Sequence, residues 1–412
     1  MYLAINCRSC DSPRVRTFLD LGAQPHCNRL IPPALASKRE PFYPLTVGFC
    51  EDCTLVQIGH TVPKESMFSD YPYVSGTTRT LVHHFKETAD RLVKTYGLGP
   101  QSLVVDIGSN DGTWLAQYQP HGVRVIGIDP AANVAKIAVE RGIPTWVRFF
   151  NEGVAREIVE KEGPAALVSA AGVFFHLEEL HSVVEGVKRL IGDDGVFVVQ
   201  AIYLGGMLDN LAFDQIYHEH LVYYTLRSLE GLLARHGLEM FEATIVPIHG
   251  GSLEVHAGKA GRRNPAAGVA AMRATEAEKR YDRFESYEAF AKRVWLLRDK
   301  LVALLRRYKA EGRTVWAYGA PAKGATLLNS FGIGPDLVAK AVEKNPMKVG
   351  NLIPGCRIPI VAEGAERPDA YLVLAWNFLD EFLARERPFL EAGGEFIVPV
   401  PRLKVYDAKD IQ

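Results

Sequence analysis

Residues 213–224 read FDQIYHEHLVYY and carry two histidines, a glutamate, an aspartate and three tyrosines. A structural loop rarely needs that density of proton donors and acceptors, so the stretch reads as an acid/base site. Such a set can break a C–H bond beside a ketone. That chemistry needs a base of near-neutral pKa and a hydrogen-bond donor where negative charge gathers on the carbonyl oxygen. Histidine and tyrosine supply both, and a glutamate between two histidines can orient one of them or bond an acceptor directly.

Two further constellations accompany the loop. Residues 105–113, VDIGSNDGT, place Gly108 and Gly112 where a chain turns sharply from strand into helix and passes close to a ligand. Asp129 closes the next strand, where its carboxylate can accept from both hydroxyls of a ribose. The spacing departs from the dinucleotide pattern GxGxxG. It favours S-adenosylmethionine over NAD, with Asp106 orienting water or the methionine ammonium, Asn110 within the loop, and Phe150 a candidate to pack on adenine. Near the N-terminus, Cys7 and Cys10 face Cys50 and Cys53 as two CxxC knuckles, a spacing that predicts one closed, structural four-thiolate zinc site.

These groups need elements to hold them. The first 60 residues, rich in Pro and Gly, read as a loop-like zinc module. An amphipathic helix is expected over 77–96, strands over 103–107, 123–128, 165–170, 195–201, 239–246 and 252–257, and helices opening at 113 and over 131–141, 178–191 and 226–236. That alternation predicts a doubly wound α/β sheet. A charged helical stretch over 271–311 leads to a second α/β unit with strands near 314–318, 370–376 and 395–398. The domain division is 1–65, a zinc-binding domain; 66–262, an S-adenosylmethionine-binding domain; and 263–412, a second Rossmann-like domain. With 412 residues and a net charge of −1, the chain has room for several cores and lacks the basic footprint of a nucleic-acid binder. No apolar stretch is long enough to span a bilayer and no leader pattern is present, so the expectation is a cytoplasmic protein, monomeric or weakly self-associating.

Taken together, CxxC...CxxC, VVDIGSNDGTWL, GVFFHL (172–177), FDQIYHEH (213–220), HGGS (249–252) and YGAPAKG (318–324) resemble the zinc-containing sugar C-methyltransferases, over nearly the whole chain. The resemblance implies a small zinc domain, a class I methyltransferase domain and a Rossmann-like C-terminal domain acting on a nucleotide-linked 4-keto deoxysugar. It makes His220 the base, with Tyr217 and Glu219 as neighbours, and matches His176 and Tyr71 to active-site positions. The enolate donor would be Tyr217 or His176, and His218 supports the loop. Gly172 with Phe175, and the run VVQAIYLGG at 198–206, depart from the family pattern beside the expected sugar pocket, pointing to a difference in the sugar, the methylated carbon or the acceptor.

In the C-terminal unit, backbone N–H groups at 322–324 with the Lys323 charge would suit a diphosphate at a helix N-terminus. His249 and Ser252 either line the pocket or belong to a hairpin turn. Three other functions compete: O- or N-methylation by the same loop, a zinc-stabilised binding protein without turnover, and an NAD-dependent epimerase or dehydrogenase.

Overall fold

The computed structural model describes residues 2–248 and 250–411. The N-terminal segment is more ordered than its Pro and Gly content suggests. Strands β1 (Val15–Pro25), β2 (Phe42–Cys50) and β3 (Val56–Ile58) pair antiparallel and bury Val15, Leu19, Leu21, Leu45, Val47 and Phe49. The residues that read as loop punctuation are absorbed by register shifts at Thr17/Leu19 and Asp20/Ala23, with Gly22 at φ +75°.

The middle of the chain forms β4 (Leu103–Ile107), β5 (Arg124–Asp129), β6 (Thr145–Val147), β7 (Leu167–Ala171), β8 (Val196–Ile202), β9 (Val222–Tyr223), β10 (Leu238–Val246) and β11 (Ser252–Lys259). Seven of these make one sheet in the order β10-β11-β8-β7-β4-β5-β6, with β11 antiparallel to both neighbours. Strand β4 is buried along its whole length, as expected of a parallel strand covered on both faces. The two-residue β9 leaves this sheet and pairs with β3, so the acid/base loop that precedes it is tied to the zinc module. The helix expected to open at 113 is instead a 3₁₀ turn, Leu115–His121. Pro120 has no N–H to give, and left-handed Gly122 ends the turn.

The charged helical stretch is two helices, Ala267–Glu278 and Phe284–Ala310, separated where Arg280 takes φ +57°. The longer one buries Tyr287, Phe290, Val294, Leu297, Leu301 and Leu305, a three-four spacing that makes one apolar stripe. Its Tyr287 ring packs 4.8 Å from Phe49 and 5.1 Å from Phe18 of the zinc module.

The C-terminal sheet comprises β12 (Val315–Tyr318), β13 (Ala341–Glu343), β14 (Ile360–Ala362), β15 (Ala370–Val373), β16 (Glu395–Val398) and β17 (Lys404–Tyr406), ordered β14-β13-β12-β15-β16-β17. Five strands are parallel and β17 is antiparallel. The strand order reverses between β12 and β15, as it does between β4 and β7 in the middle sheet. Open α/β sheets bind ligands at such switch points, beyond the carboxyl ends of the strands. Helix Ala322–Ser330 brings the second switch point onto the acid/base loop: Thr326 Oγ1 donates to the Ile216 carbonyl at 3.1 Å, and Phe331 stacks on Phe213 at 4.9 Å. No helix of the described residues is long and apolar enough to cross a membrane.

Candidate active site

The four cysteines of the two knuckles converge. Cys7 and Cys53 sulfurs lie 3.4 Å apart, Cys10 and Cys50 sulfurs 3.5 Å apart, and all four within 4.8 Å of one another. A tetrahedron with Zn–S bonds of about 2.3 Å has sulfur–sulfur edges of roughly 3.8 Å, so the set fits one zinc ion and leaves no position open for chemistry. The knuckles share one construction. In each, the residue four after the first cysteine is left-handed, Asp11 at φ +56° and Thr54 at φ +64°, and its N–H returns to that cysteine's carbonyl.

Beyond β4, Gly108 takes φ +71°, and a Cβ there would meet Val173 Cγ2 at 2.7 Å, so only glycine lets loop 108–112 lie against loop 172–175. Asp129 is buried at the end of β5; its Oδ2 accepts from the Asn110 N–H and its Oδ1 from the Ala131 N–H, both at 2.8 Å. Burial pushes this carboxyl up, and the two N–H groups pull part of that back. Each oxygen keeps a lone pair, as a ribose diol would require. The Asn110 side chain faces the other way: Oδ1 accepts from the Ser75 N–H at 2.9 Å and Nδ2 donates to the Tyr73 carbonyl at 3.0 Å. With Asn133, which exchanges two bonds with the Tyr71 backbone, it straps residues 71–75 to this half-site, and Tyr71, Tyr73 and Ser75 line the cavity.

Asp106 does not reach the cavity surface. It sits beneath the wall, accepting from Ser169 Oγ at 2.6 Å, and burial pushes its carboxyl up to about 7. Gly112 is likewise turned inward against Ile143 and Ala138. Phe150 lines the cavity.

The acid/base loop closes the opposite wall. His220 is buried; its Nδ1–H donates to the Gln215 carbonyl at 2.7 Å, since a carbonyl can only accept, so in the neutral ring Nε2 is the lone-pair nitrogen. Its ring packs 3.9 Å from Tyr217, 4.6 Å from Phe175 and 5.0 Å from His176. His176 is held the same way, Nδ1–H to the Glu219 carbonyl at 2.6 Å, and burial keeps it below the ordinary histidine pKa, which makes its Nε2 an acceptor at neutral pH. The Tyr217 phenol is pushed well above its usual range, first by burial and then by the nearby Glu219 charge, so it stays protonated and can donate. His218 points away, bonding the Pro44 carbonyl of the zinc module at 3.2 Å.

Glu219 is 1% exposed at its side chain and stands behind the cavity wall. Oε1 accepts from Asn28 Nδ2 at 2.7 Å and lies 3.2 Å from His26 Nε2, while Oε2 accepts from the Tyr71 hydroxyl at 3.1 Å. Burial alone would push this carboxyl up; the bonds and charges of His26, His176 and Asn28 outweigh it and hold it below the ordinary value. His26 and Asn28 carried no signal in the sequence, because nothing local marks a residue whose partner is 191 positions away.

At the second switch point Lys323 lies 3.9 Å above the Trp376 ring and donates to Asn377 Oδ1 at 2.5 Å. Burial brings its pKa down to about 8. Trp376 Nε1 donates in turn to Asp214 of the acid/base loop at 2.7 Å. Lys348, also unmarked in the sequence, lines the same cavity and donates to the Ala320 carbonyl at 2.9 Å. His249 lies outside the described residues. Ser252 opens β11 and donates to the Ile248 carbonyl at 3.1 Å, as part of the β10–β11 hairpin rather than of the cavity lining.

One cavity of about 1140 Å³ connects all of this, from Gly108, Asn110 and Asp129 past His176, Tyr217 and His220 to Lys323 and Asn377. A site for a single small molecule is about 300–1,000 Å³, so the space accommodates a cofactor and an acceptor side by side.

Comparison with known proteins gives the family. Residues 7–68 match the family profile of a zinc binding domain, 81–243 that of a methyltransferase domain, and 247–401 that of the C-methyltransferase C-terminal domain. The chain is 36% identical to C-methyltransferase NovU of Streptomyces niveus over 409 residues, which are 98% of this chain and 97% of the relative. Among solved structures, geranyl diphosphate C-methyltransferase from Streptomyces coelicolor A3(2) superposes with a TM-score of 0.34 at 14% identity, covering 42% of this chain and 78% of its own. Magnesium protoporphyrin IX methyltransferase from Synechocystis PCC 6803 gives a TM-score of 0.32 at 14% identity, covering 44% and 82%.

Proposed function

Because this chain belongs to the zinc-containing, S-adenosylmethionine-dependent C-methyltransferases, we propose that its acceptor is a nucleotide-linked 4-keto deoxysugar, methylated at a carbon next to the ketone. The observation that carries the reading is the single cavity joining two switch points, with His220 between them. One end has the ribose-accepting carboxylate of Asp129 and the glycine turn at Gly108; the other has a lysine over an indole ring, suited to a diphosphate.

When bound, S-adenosylmethionine supplies an electrophilic methyl group. The chain's own residues do the rest. His220 Nε2 takes the proton from the carbon beside the ketone, and its Nδ1–H bond to Gln215 spreads the charge that the ring gains. Tyr217 donates to the carbonyl oxygen as it becomes an enolate oxygen. His176, neutral and accepting, orients an acceptor hydroxyl, and the strap at Tyr71 to Ser75 covers the junction between the half-sites. Lys323, Asn377 and Lys348 hold the diphosphate, while Phe175 and Gly172 shape the pocket around the sugar. The domain boundaries that go with this reading fall at 65/66 and 262/263.

Mass spectrometry on the protein incubated with S-adenosylmethionine and a panel of nucleotide-linked 4-keto-6-deoxysugars tests the proposal. A gain of one methylene mass, with NMR placing the methyl on carbon next to the ketone, is the expected result. A methyl on oxygen or nitrogen, or no gain from any sugar while S-adenosylhomocysteine still binds, would overturn the acceptor assignment.

A further inference from the structure

The zinc module does more than fold. Its strand β1 ends at Pro25, which pairs with Phe42 of β2, and the next three residues turn into the active-site wall. The turn is held at both ends. The Arg29 N–H returns to the His26 carbonyl at 3.1 Å, and Ile31 bridges to Leu352 of the C-terminal unit. That turn brings Asn28 Nδ2 into a hydrogen bond with Glu219 Oε1 and sets His26 Nε2 3.2 Å from the same oxygen, an ion-pair contact without hydrogen-bond geometry.

The consequence follows from where Glu219 is. A carboxylate with 1% of its side chain exposed has no water to fall back on, and its position is set by the groups that donate to it. Its other oxygen fixes the Tyr71 hydroxyl and its backbone carbonyl fixes the His176 ring, both of which line the cavity. Displacing the carboxylate therefore frees the Tyr71 wall directly, and any backbone shift that follows at Glu219 carries the His176 ring with it.

We propose that His26 and Asn28 are positioning residues for the methyl transfer: the zinc module clamps Glu219 through them, and Glu219 in turn sets Tyr71 and His176 around the acceptor. The inference rests on the reading of the His220 cavity as the site of that reaction. It extends that reading to a module whose metal takes no part in the chemistry.

A double-mutant cycle tests it, with the nucleotide-linked 4-keto-6-deoxysugar that turns over fastest in the panel above as the probe. Asn28→Ala is expected to lower kcat about ten- to hundredfold, the range for losing a hydrogen bond to a buried charge, and His26→Ala, which removes an ion-pair contact to the same oxygen, by about tenfold or less. Affinity for S-adenosylhomocysteine and one zinc per chain should be retained. His26→Gln keeps an N–H donor and is expected to recover most of the loss. Asn28→Asp fills the same volume and should be at least as impaired as Asn28→Ala, because it sets a second carboxylate against the first. In a Glu219→Gln background, Asn28→Ala should cost less than about threefold more, since effects carried by one shared partner do not add. Equal losses in both backgrounds, or Asn28→Asp at the full wild-type kcat, would overturn the clamp while leaving the active site intact. A Glu219→Gln chain that turns over as fast as wild type, with His220→Asn equally active, would instead remove the active-site reading itself.

Discussion

Replacing His220 by Asn separates chemistry from architecture at this site. The Asn amide can place an N–H where the imidazole Nδ1–H now donates to the Gln215 carbonyl, so the loop keeps that bond while Nε2 disappears. The ring contacts to Tyr217 at 3.9 Å and Phe175 at 4.6 Å are lost, which costs stability on the scale of aromatic pairs, about 0.5–1.5 kcal/mol each. Removing a general base costs about 10²- to 10⁴-fold in rate, or roughly 2.7–5.4 kcal/mol of barrier. The chemical loss thus exceeds the packing loss and shows in a different measurement. Three assays read it: kcat with the 4-keto sugar, S-adenosylhomocysteine affinity by calorimetry, and deuterium uptake from solvent at the carbon beside the ketone without methyl donor. The variant should bind the cofactor product within about threefold of wild type and lose both turnover and deuterium uptake. Turnover within about tenfold of wild type, or uptake undiminished, would refute the assignment of His220 as the base.

Three other perturbations have expected outcomes. Metal analysis of protein purified without chelator should find one zinc per chain, and a strong chelator should lower the melting temperature by loosening the β1–β2 pair; a metal-free, equally stable protein would remove the four-thiolate site. Gly108→Ala forces an L-residue to φ +71°, at about 1–2 kcal/mol, and drives a methyl into Val173, so S-adenosylhomocysteine affinity should fall at least about tenfold; an unchanged Kd would show that the loop relaxes freely. Under the sheet, Glu254 is fully enclosed, and although burial pushes its carboxyl up, His256, Arg91 and Gln200 outweigh that and bring it down to about 2. Its folded pKa lies below the unfolded one, so the stabilisation is complete above about pH 4.5 and is lost as pH falls toward 2, worth roughly 3 kcal/mol. Glu254→Gln should therefore unfold more easily than wild type at pH 7 by urea titration, with the gap closing below pH 4; a gap independent of pH would contradict the linkage.

Much of this protein is legible because its chemistry is local in the chain. The CxxC knuckles, the turn around Gly108 and Gly112 and the carboxylate of Asp129 one strand later are each marked by spacing, while within the YHEH loop it was the resemblance to a known family that singled out His220. Alternating strand and helix was enough for the doubly wound class. The misses share a cause. Strands β1 and β2 hide behind Pro and Gly because their stability comes from the pairing partner and the Phe284–Ala310 helix, neither visible from a window of ten residues. Asp106 follows the pattern of a ligand contact, yet the sheet turns it onto Ser169.

What the sequence determined by itself is therefore the inventory: four cysteines in two knuckles, the glycine loop ahead of Asp129, the loop rich in histidine and tyrosine, and the layers that carry them. Tertiary structure alone decided their relations: which nitrogen of His220 bears the lone pair, that His176 accepts, that Lys323 shares a cavity with Asp129, and that His26 and Asn28 hold Glu219 from another module. The reason is physical. A residue's type and its neighbours in the chain are set by covalent order, whereas tautomer, ionisation and orientation depend on partners brought near only by long-range packing.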